Sequence, residues 1–350
     1  MSGRYLIYGA NGYTGELVAR EAVQRGQSPI LAGRSASSVA ALAQELGLEH
    51  RAFGLDDPGA LDAGLEGMTA VLHCAGPFAH TFRPMAEACL RVKAHYLDVT
   101  GEIDVFEALA ARDREAQAAG VMLLPGTGFD VVPSDCLAAH LKRRLPSATR
   151  LALAFVTTGG MSRGTATTMA ENIHRGGLVR RDGVLTRVPA AWKTRRIDFG
   201  RGPTSTITIP WGDVATAYRS TGIPNIEVYT AVPWLARAGV RLSRPFLGLL
   251  ARPGIQSFLK KRIRARGAGP SAEERARGVS LLWGEARDEA GGIAVSRLRG
   301  PEGYTLTVLA SLECLDRVLS GDAPTGYQTP AKAFGPDLVL ALEGVSRSDD

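Results

Sequence analysis

Apolar residues over the first 125 positions fall into short, nearly continuous runs. Each run gives way to a segment in which they recur every three or four residues. The runs are Tyr5–Tyr8, Ser28–Ala32, His50–Leu55, Ala70–Cys74, His95–Asp98 and Val121–Leu124. Helical spacing occupies Glu16–Arg25, Ser38–Leu46 behind a cap at Ser37, a segment opening at Pro58, Arg83–Val92 and Asp104–Ala118. Strands that are apolar throughout suit a parallel sheet covered on both faces. The pattern therefore predicts six strands alternating with helices, a doubly wound α/β domain over residues 1–132.

Beyond residue 145 the rhythm changes. Arg150–Thr157, Val184–Val188, Ser205–Pro210 and Ile226–Val232 read as longer strands, several of them alternating, and Val279–Arg287 with Ile293–Arg299 reads as a hairpin around Glu289-Ala290-Gly291-Gly292. These predict a second α+β domain, residues 133–323, on a mixed or antiparallel sheet. Gly159–Gly177 holds a loop, GGMSRGT, and a helix over Thr165–His174; Arg163 and the glycines of that loop could close over a substrate. Pro233–Leu259 reads as an amphipathic helical hairpin, since its apolar residues are interrupted by arginines and prolines before reaching the roughly 20 that a membrane span needs. Gly267–Arg277 is expected to be a mobile loop and Tyr304–Ser320 a helix. Residues 324–350 are expected to return, through a helix over Ala331–Leu342, to the first domain.

Composition fits two globular domains: 350 residues, 45% hydrophobic. The first strand follows only four residues, so no export signal is expected. Cys74, Cys89, Cys136 and Cys314 are scattered without partner spacing, which predicts reduced thiols, no metal site and a cytoplasmic protein. The net charge of +6 is moderate, with one local excess at Lys260, Lys261, Arg262, Arg264 and Arg266. Such a cluster suits anionic lipid, an acidic carrier protein or a solvated helix face. The basic residues are not interleaved with aromatics as stacking platforms would require, which argues against nucleic acid.

The first strand runs into GANGYTG, a GxxGxxG relative of the dinucleotide fingerprint, at the start of a helix. Gly9 allows the turn, Gly12 a close approach of backbone to a pyrophosphate, and Gly15 packing of helix on strand; Asn11, Tyr13 and Thr14 complete the loop. At the end of the second strand an acidic residue would select NAD. Arg34 stands there instead, suited with Ser35 to the 2′-phosphate of NADP(H). Asp56 either accepts from the adenine amino group or caps the next helix. Cys74, Ala75, Gly76, Pro77 and Phe78 leave the fourth strand, and Gly101 and Glu102 follow the fifth, where Glu102 binds ribose or substrate or caps its own helix. Gly128 to Pro133, with Asp130, follow the sixth. These turns share the carboxyl edge of the sheet, where ligands of open α/β folds bind.

The motifs GANGYTG, AGR (Ala32–Arg34), CAGPF (Cys74–Phe78), HYLDVTGE (His95–Glu102), GFDVVPSD (Gly128–Asp135), PEGYTLT (Pro301–Thr307) and GYQTPAKAFG (Gly326–Gly335) together resemble the saccharopine dehydrogenase-like oxidoreductases. Within them, the C-terminal motifs resemble the trans-acting enoyl reductases. The resemblance implies NADP at Gly9, Gly12, Tyr13, Thr14, Gly15 and Arg34, and a nicotinamide beside Gly76, Pro77 and Asp130. It supplies no firm catalytic acid; His80, Arg163 and Tyr304 are candidates. Where a Ser-Gly-Gly-Thr turn is expected, Ser162-Arg163-Gly164-Thr165 stands instead. The implied activity is NADPH-dependent reduction of a lipophilic enoyl or acyl substrate, free or on an acyl carrier protein. The alternatives are a saccharopine-type imine reductase and a non-catalytic NADP-binding or lipid-surface protein. A homodimer and peripheral membrane contact are left open.

Overall fold

The computed structural model describes residues 3–232, 239, 244–265 and 267–350. The chain divides into two compact units, one of residues 1–132 and 304–334, the other of 133–303 and 335–350. The expected second domain had included 304–323; that stretch belongs to the first unit, and only residues up to 334 of the C-terminal segment stay there.

In the first unit, β1 (Tyr5–Tyr8), β2 (Ile30–Gly33), β3 (His50–Ala52), β4 (Ala70–His73), β5 (His95–Asp98), β6 (Met122–Leu124) and β15 (Gly326–Tyr327) form one sheet in the order β15-β6-β5-β4-β1-β2-β3. All neighbours are parallel. The seventh strand, β15, lies just before the helix expected over Ala331–Leu342, where the sequence pattern predicts no strand. The helices are α1 (Tyr13–Gln24), α2 (Ala36–Leu46), α3 (Pro58–Leu65), α4 (Phe78–Val92), α5 (Ile103–Ala110) and α6 (Asp113–Ala119), joined later in the chain by α12 (Gly303–Leu319) and α13 (Pro330–Phe334). Every residue of β1, β2 and β4 is buried. Leu6, Tyr8, Val71, Tyr96 and Leu123 pack with Leu61 and Leu65 of α3 and Met85 and Cys89 of α4. Each such side chain contributes about 1.5–3 kcal/mol. Helix α4 begins five residues earlier than its spacing predicts, and the expected helix over 104–118 is split into α5 and α6.

The second unit is built on β7 (Arg150–Thr157), β8 (Gly177–Arg181), β9 (Val184–Val188), β10 (Thr194–Asp198), β11 (Pro203–Thr208), β12 (Asn225–Ala231), β13 (Val279–Arg287), β14 (Ile293–Pro301) and β16 (Ser346–Asp349). Their main order is β10-β11-β12-β7-β13-β14-β16, with β8 and β9 attached through β12. Among the described strands only β7 and β12 pair in parallel, so the sheet is mixed. Leu137 and Leu141 of α7 (Val132–Arg144) pack directly over Gly284 of β13, filling the space a side chain would need. The opposite face gathers Ala154, Tyr229, Leu281 and Trp283 with Ile197 and Phe199. Further helices are α8 (Arg163–Asn172), α9 (Asp213–Thr221), α10 (Pro253–Arg264) and α11 (Ala272–Arg277).

Residues 233–238 and 240–243 of the expected hairpin over 233–259 lie outside the described residues, as does Arg266; its described part is a 3-10 turn, Arg244–Ala251, followed by α10. The expected loop 267–277 contains α11, started by a reciprocal capping box between Ser271 and Glu274. The expected helix over 331–342 is reduced to α13 and a 3-10 turn, Leu338–Ala341, before β16.

Candidate active site

The first unit builds its site at the carboxyl ends of its parallel strands. Gly9 adopts φ +80°, a left-handed conformation that glycine tolerates, and a Cβ there would stand 2.9 Å from the Ala75 amide nitrogen. The amides of Gly9 and Ala10 both donate to the Ala32 carbonyl, at 2.8 and 3.1 Å, fixing the turn against β2. Gly15 lies on the turn itself; a Cβ there would reach 2.9 Å from the Gly9 carbonyl carbon. At Gly12 a Cβ would meet only the Gly9 carbonyl oxygen, at 3.1 Å. Gly12 is also the N-cap of α1, and no side chain caps that helix. A bare helix N-terminus beside open space is a cradle for a pyrophosphate, and the residues present fit a dinucleotide.

Arg34 extends from the end of β2, exposed and without an ion pair among the described residues. Ser35 is the N-cap residue of α2, and its hydroxyl lies 2.9 Å from that of Ser38. Asp57, rather than Asp56, caps α3 by accepting from the amides of Gly59 and Ala60 at 2.8 and 3.3 Å. This resolves one of the two readings of Asp56, which stays exposed beyond β3. The Tyr8 hydroxyl donates to the Phe53 carbonyl at 3.0 Å. Burial pushes its pKa up to about 12, with smaller opposing influences from Arg34 and Asp56.

The turns after β4, β5 and β6 are tied together. The Glu102 carboxylate accepts from the amides of Phe78 and Ala79, at 2.7 and 2.9 Å, and so caps α4 rather than its own helix. Cys74 is half-buried; burial, reinforced by Asp98, pushes its thiol up to about 12 and keeps it protonated. Asp98 is fully buried and joins the next two turns. It accepts from the Tyr96 hydroxyl at 2.6 Å, and from the amides of Thr100 and Gly126 at 2.9 Å each. Its pKa is nevertheless raised to about 6, because burial outweighs those bonds. Asp130, half-buried, lies over Gly101: a Cβ there would come 2.7 Å from its Oδ2. Burial and the neighbouring Glu102 charge raise Asp130 to about 7.

Of the sequence candidates, Tyr304 opens α12 and packs edge-on against Tyr13 of the glycine loop, with ring centroids 5.0 Å apart. Thr307, one turn on, accepts from the Phe129 amide at 3.0 Å, which seats α12 beside the β6 turn. His80 is exposed on the first turn of α4. Arg163 belongs to the second unit, where its amide donates to the Ala268 carbonyl at 3.0 Å. Asp98 was not singled out in the sequence. An Asp closing an apolar strand was its only visible signal; the amides it binds come from two separate turns.

Residues 5–124 match the family model described as the saccharopine dehydrogenase NADP binding domain. The human saccharopine dehydrogenase-like oxidoreductase is 24% identical over 43% of this chain and 40% of its own length. A trans-acting enoyl reductase of Mycobacterium leprae is 31% identical over 40% of this chain and 35% of its own. In both cases the chain matches well under half of the relative. A putative trans-acting enoyl reductase of Mycobacterium tuberculosis is 25% identical over 97% of this chain and 96% of its own. The fold is shared with the apo L-Glu-forming saccharopine dehydrogenase of Saccharomyces cerevisiae, at a TM-score of 0.69, 12% identity, and coverage of 99% and 100% of the two chains. The first unit thus carries a match to the saccharopine dehydrogenase NADP binding domain, and the chain as a whole is similar to the saccharopine dehydrogenase-like oxidoreductases.

Proposed function

We propose that the protein is an NADPH-dependent reductase of a lipophilic α,β-unsaturated acyl thioester, with Asp130 as proton donor. The observation that carries the reading is the Asp130 carboxyl, packed on Gly101 at the carboxyl edge of the sheet whose first turn is the dinucleotide cradle. Bound NADPH would supply the hydride for the β-carbon. Gly12, Thr14 and Gly15 would hold its pyrophosphate on the amides that open α1, and Arg34 with Ser35 its 2′-phosphate. Hydride addition leaves the substrate needing a proton at the carbon next to the thioester carbonyl. A carboxyl that titrates near neutrality can give that proton and regain it from solvent. Burial raises the pKa of Asp130, and the neighbouring Glu102 carboxylate, which accepts from the amides of Phe78 and Ala79, adds to the shift.

The enoyl substrate class is supported by the name of the mycobacterial relative that aligns along nearly the whole chain. An absorbance assay of NADPH oxidation tests the reading. Turnover is expected with an α,β-unsaturated acyl thioester and not with α-aminoadipate semialdehyde plus glutamate. The reverse pattern overturns it in favour of imine reduction.

A further inference from the structure

Between Glu227 and Glu273 the chain has no acidic residue and nine basic ones; the remainder carries 32 basic against 35 acidic residues. The whole positive excess of the protein therefore comes from this one segment. Its longest element among the described residues is α10, whose inner side holds Ile255, Gln256, Leu259 and the buried Ile263. The Gln256 side-chain amide donates to Ala170 of α8 and to Leu250 of the preceding 3-10 turn, at 2.9 and 2.7 Å. Lys260 bonds Glu171 of α8 at 2.6 Å. Ser257, Phe258, Lys261 and Arg262 share the outer face, three and four residues apart, with Arg264 exposed one turn on. Phe258 is 61% exposed, with the Arg262 guanidinium 6.0 Å from its ring centroid. Lys261, Arg262 and Arg264 make no ion pair among the described residues.

Apolar exposure concentrates in the same place. Of the seven large apolar side chains left exposed among the described residues, Met161, Met169, Leu249 and Phe258 lie on α8, the loop before it, the 3-10 turn and α10; Val184, Ile293 and Leu340 lie elsewhere, far apart in sequence. Exposed phenylalanine, leucine and methionine among cations of one sign form the pattern of a helix that lies in a membrane interface.

We propose that α8, the 3-10 turn and α10 form a docking surface for an anionic lipid bilayer. Charge complementarity selects this occupant. A bilayer presents one sign of charge over a wide plane and accepts scattered apolar side chains into its headgroup layer. A folded acidic partner instead makes a bounded contact with a polar rim, whereas the exposed Met161, Met169, Leu249 and Phe258 are scattered over α8, the loop before it, the 3-10 turn and α10. The surface stands independently of the reductase reading, because none of its residues belongs to the proposed site.

Vesicle flotation of the full chain tests it, with phosphatidylcholine vesicles that contain or lack phosphatidylglycerol, at low and at high salt. Binding is expected only with phosphatidylglycerol and should weaken as salt is raised. Lys261→Gln, Arg262→Gln and Arg264→Gln should each lower partitioning about fivefold, corresponding to ~1 kcal/mol per cation near an anionic surface. Phe258→Ser should lower it further, while thermal stabilisation by NADPH stays as in the parent, showing that these variants are folded. Absence of flotation, equal flotation on phosphatidylcholine alone, or an unchanged triple variant would overturn the proposal. So would a gel-filtration complex with an acidic acyl-carrier protein that depends on these three cations when vesicles are not bound.

Discussion

The Asp130 carboxylate occupies the space that a side chain at Gly101 would need, with Oδ2 only 2.7 Å from the position of a Cβ there. Two turns from different strands thus set the place of one ionisable group. Gly101→Ala should push that flexible carboxylate aside at little cost to the fold. It should lower kcat for the thioester substrate at least tenfold with NADPH affinity retained. Asp130→Asn should lower kcat by about 10²–10⁴-fold. The unmodified protein should lose activity as pH rises past about 7, where Asp130 gives up its proton, and the Asn variant should lose that limb. A pH–rate profile unchanged by Asp130→Asn would remove Asp130 as proton donor.

Arg34 stands exposed at the end of β2 without an ion pair among the described residues. Arg34→Ala should weaken NADPH by roughly 10- to 100-fold, the loss of a charge-assisted bidentate pair of about 1.5–3 kcal/mol, and leave NADH nearly unchanged. Titration calorimetry with both cofactors decides this. Equal affinity of the unmodified protein for the two would show that Arg34 does not select between them.

Gly12 and Gly15 should fail in different ways. A side chain at Gly12 points into open space beyond a single carbonyl oxygen, whereas one at Gly15 meets backbone at once. Gly12→Val should keep a native-like melting curve but abolish its upward shift with NADPH. Gly15→Val should lower the melting temperature without ligand. Protection of Gly12→Val by NADPH would place the pyrophosphate elsewhere.

His73 makes the fold sensitive to acid. The Thr81 hydroxyl donates to the Ala75 carbonyl at 2.7 Å, so its oxygen accepts the Nε2 proton of His73 at 3.0 Å. Nδ1 is left buried without a hydrogen-bond partner among the described residues, beside the rings of Tyr8, Phe78 and Tyr96. Burial drives the pKa of His73 down to about 3. Above pH 6.5 the ring is neutral in both folded and unfolded chains and has no effect. Below it the unfolded chain gains a proton that the folded one refuses, and stability falls until about pH 3. The loss between pH 6.5 and 5 should be about 2 kcal/mol. Asp98 and Asp130, whose pKa values are raised, have the opposite slope, so the comparison must be with His73→Phe. Denaturant titrations showing the same acid loss in both proteins would contradict this assignment.

The first unit was legible because its signals are local. Fully buried strands of a parallel sheet must be apolar at every position, and a phosphate-binding turn must carry glycine where backbone meets backbone, so Tyr5–Tyr8 and Gly9–Gly15 announce themselves. Arg34 was equally plain, since its place depends only on counting to the end of the second strand. By contrast, β15 has two residues and no period of its own; it is a strand because the Gly326 amide donates to the Val121 carbonyl, across some two hundred positions. The start of α4 was hidden for a related reason: its cap, Glu102, lies 24 residues downstream of Phe78.

By itself the sequence determined the parallel sheet of the first unit, the glycine turn after its first strand and a second sheet that was mixed or antiparallel, each written in residues close together along the chain; the parallel pairing of β7 with β12 made that sheet mixed. Tertiary structure decided which carboxylates share an environment. Asp98, Glu102 and Asp130 are ordinary acids in the sequence. They diverge only once folding buries Asp98 beneath two turns, spends Glu102 on the amides of α4 and presses Asp130 against Gly101. Desolvation and the field of neighbouring charges arise from that assembly, and they raise the pKa values of Asp98 and Asp130 toward neutral pH.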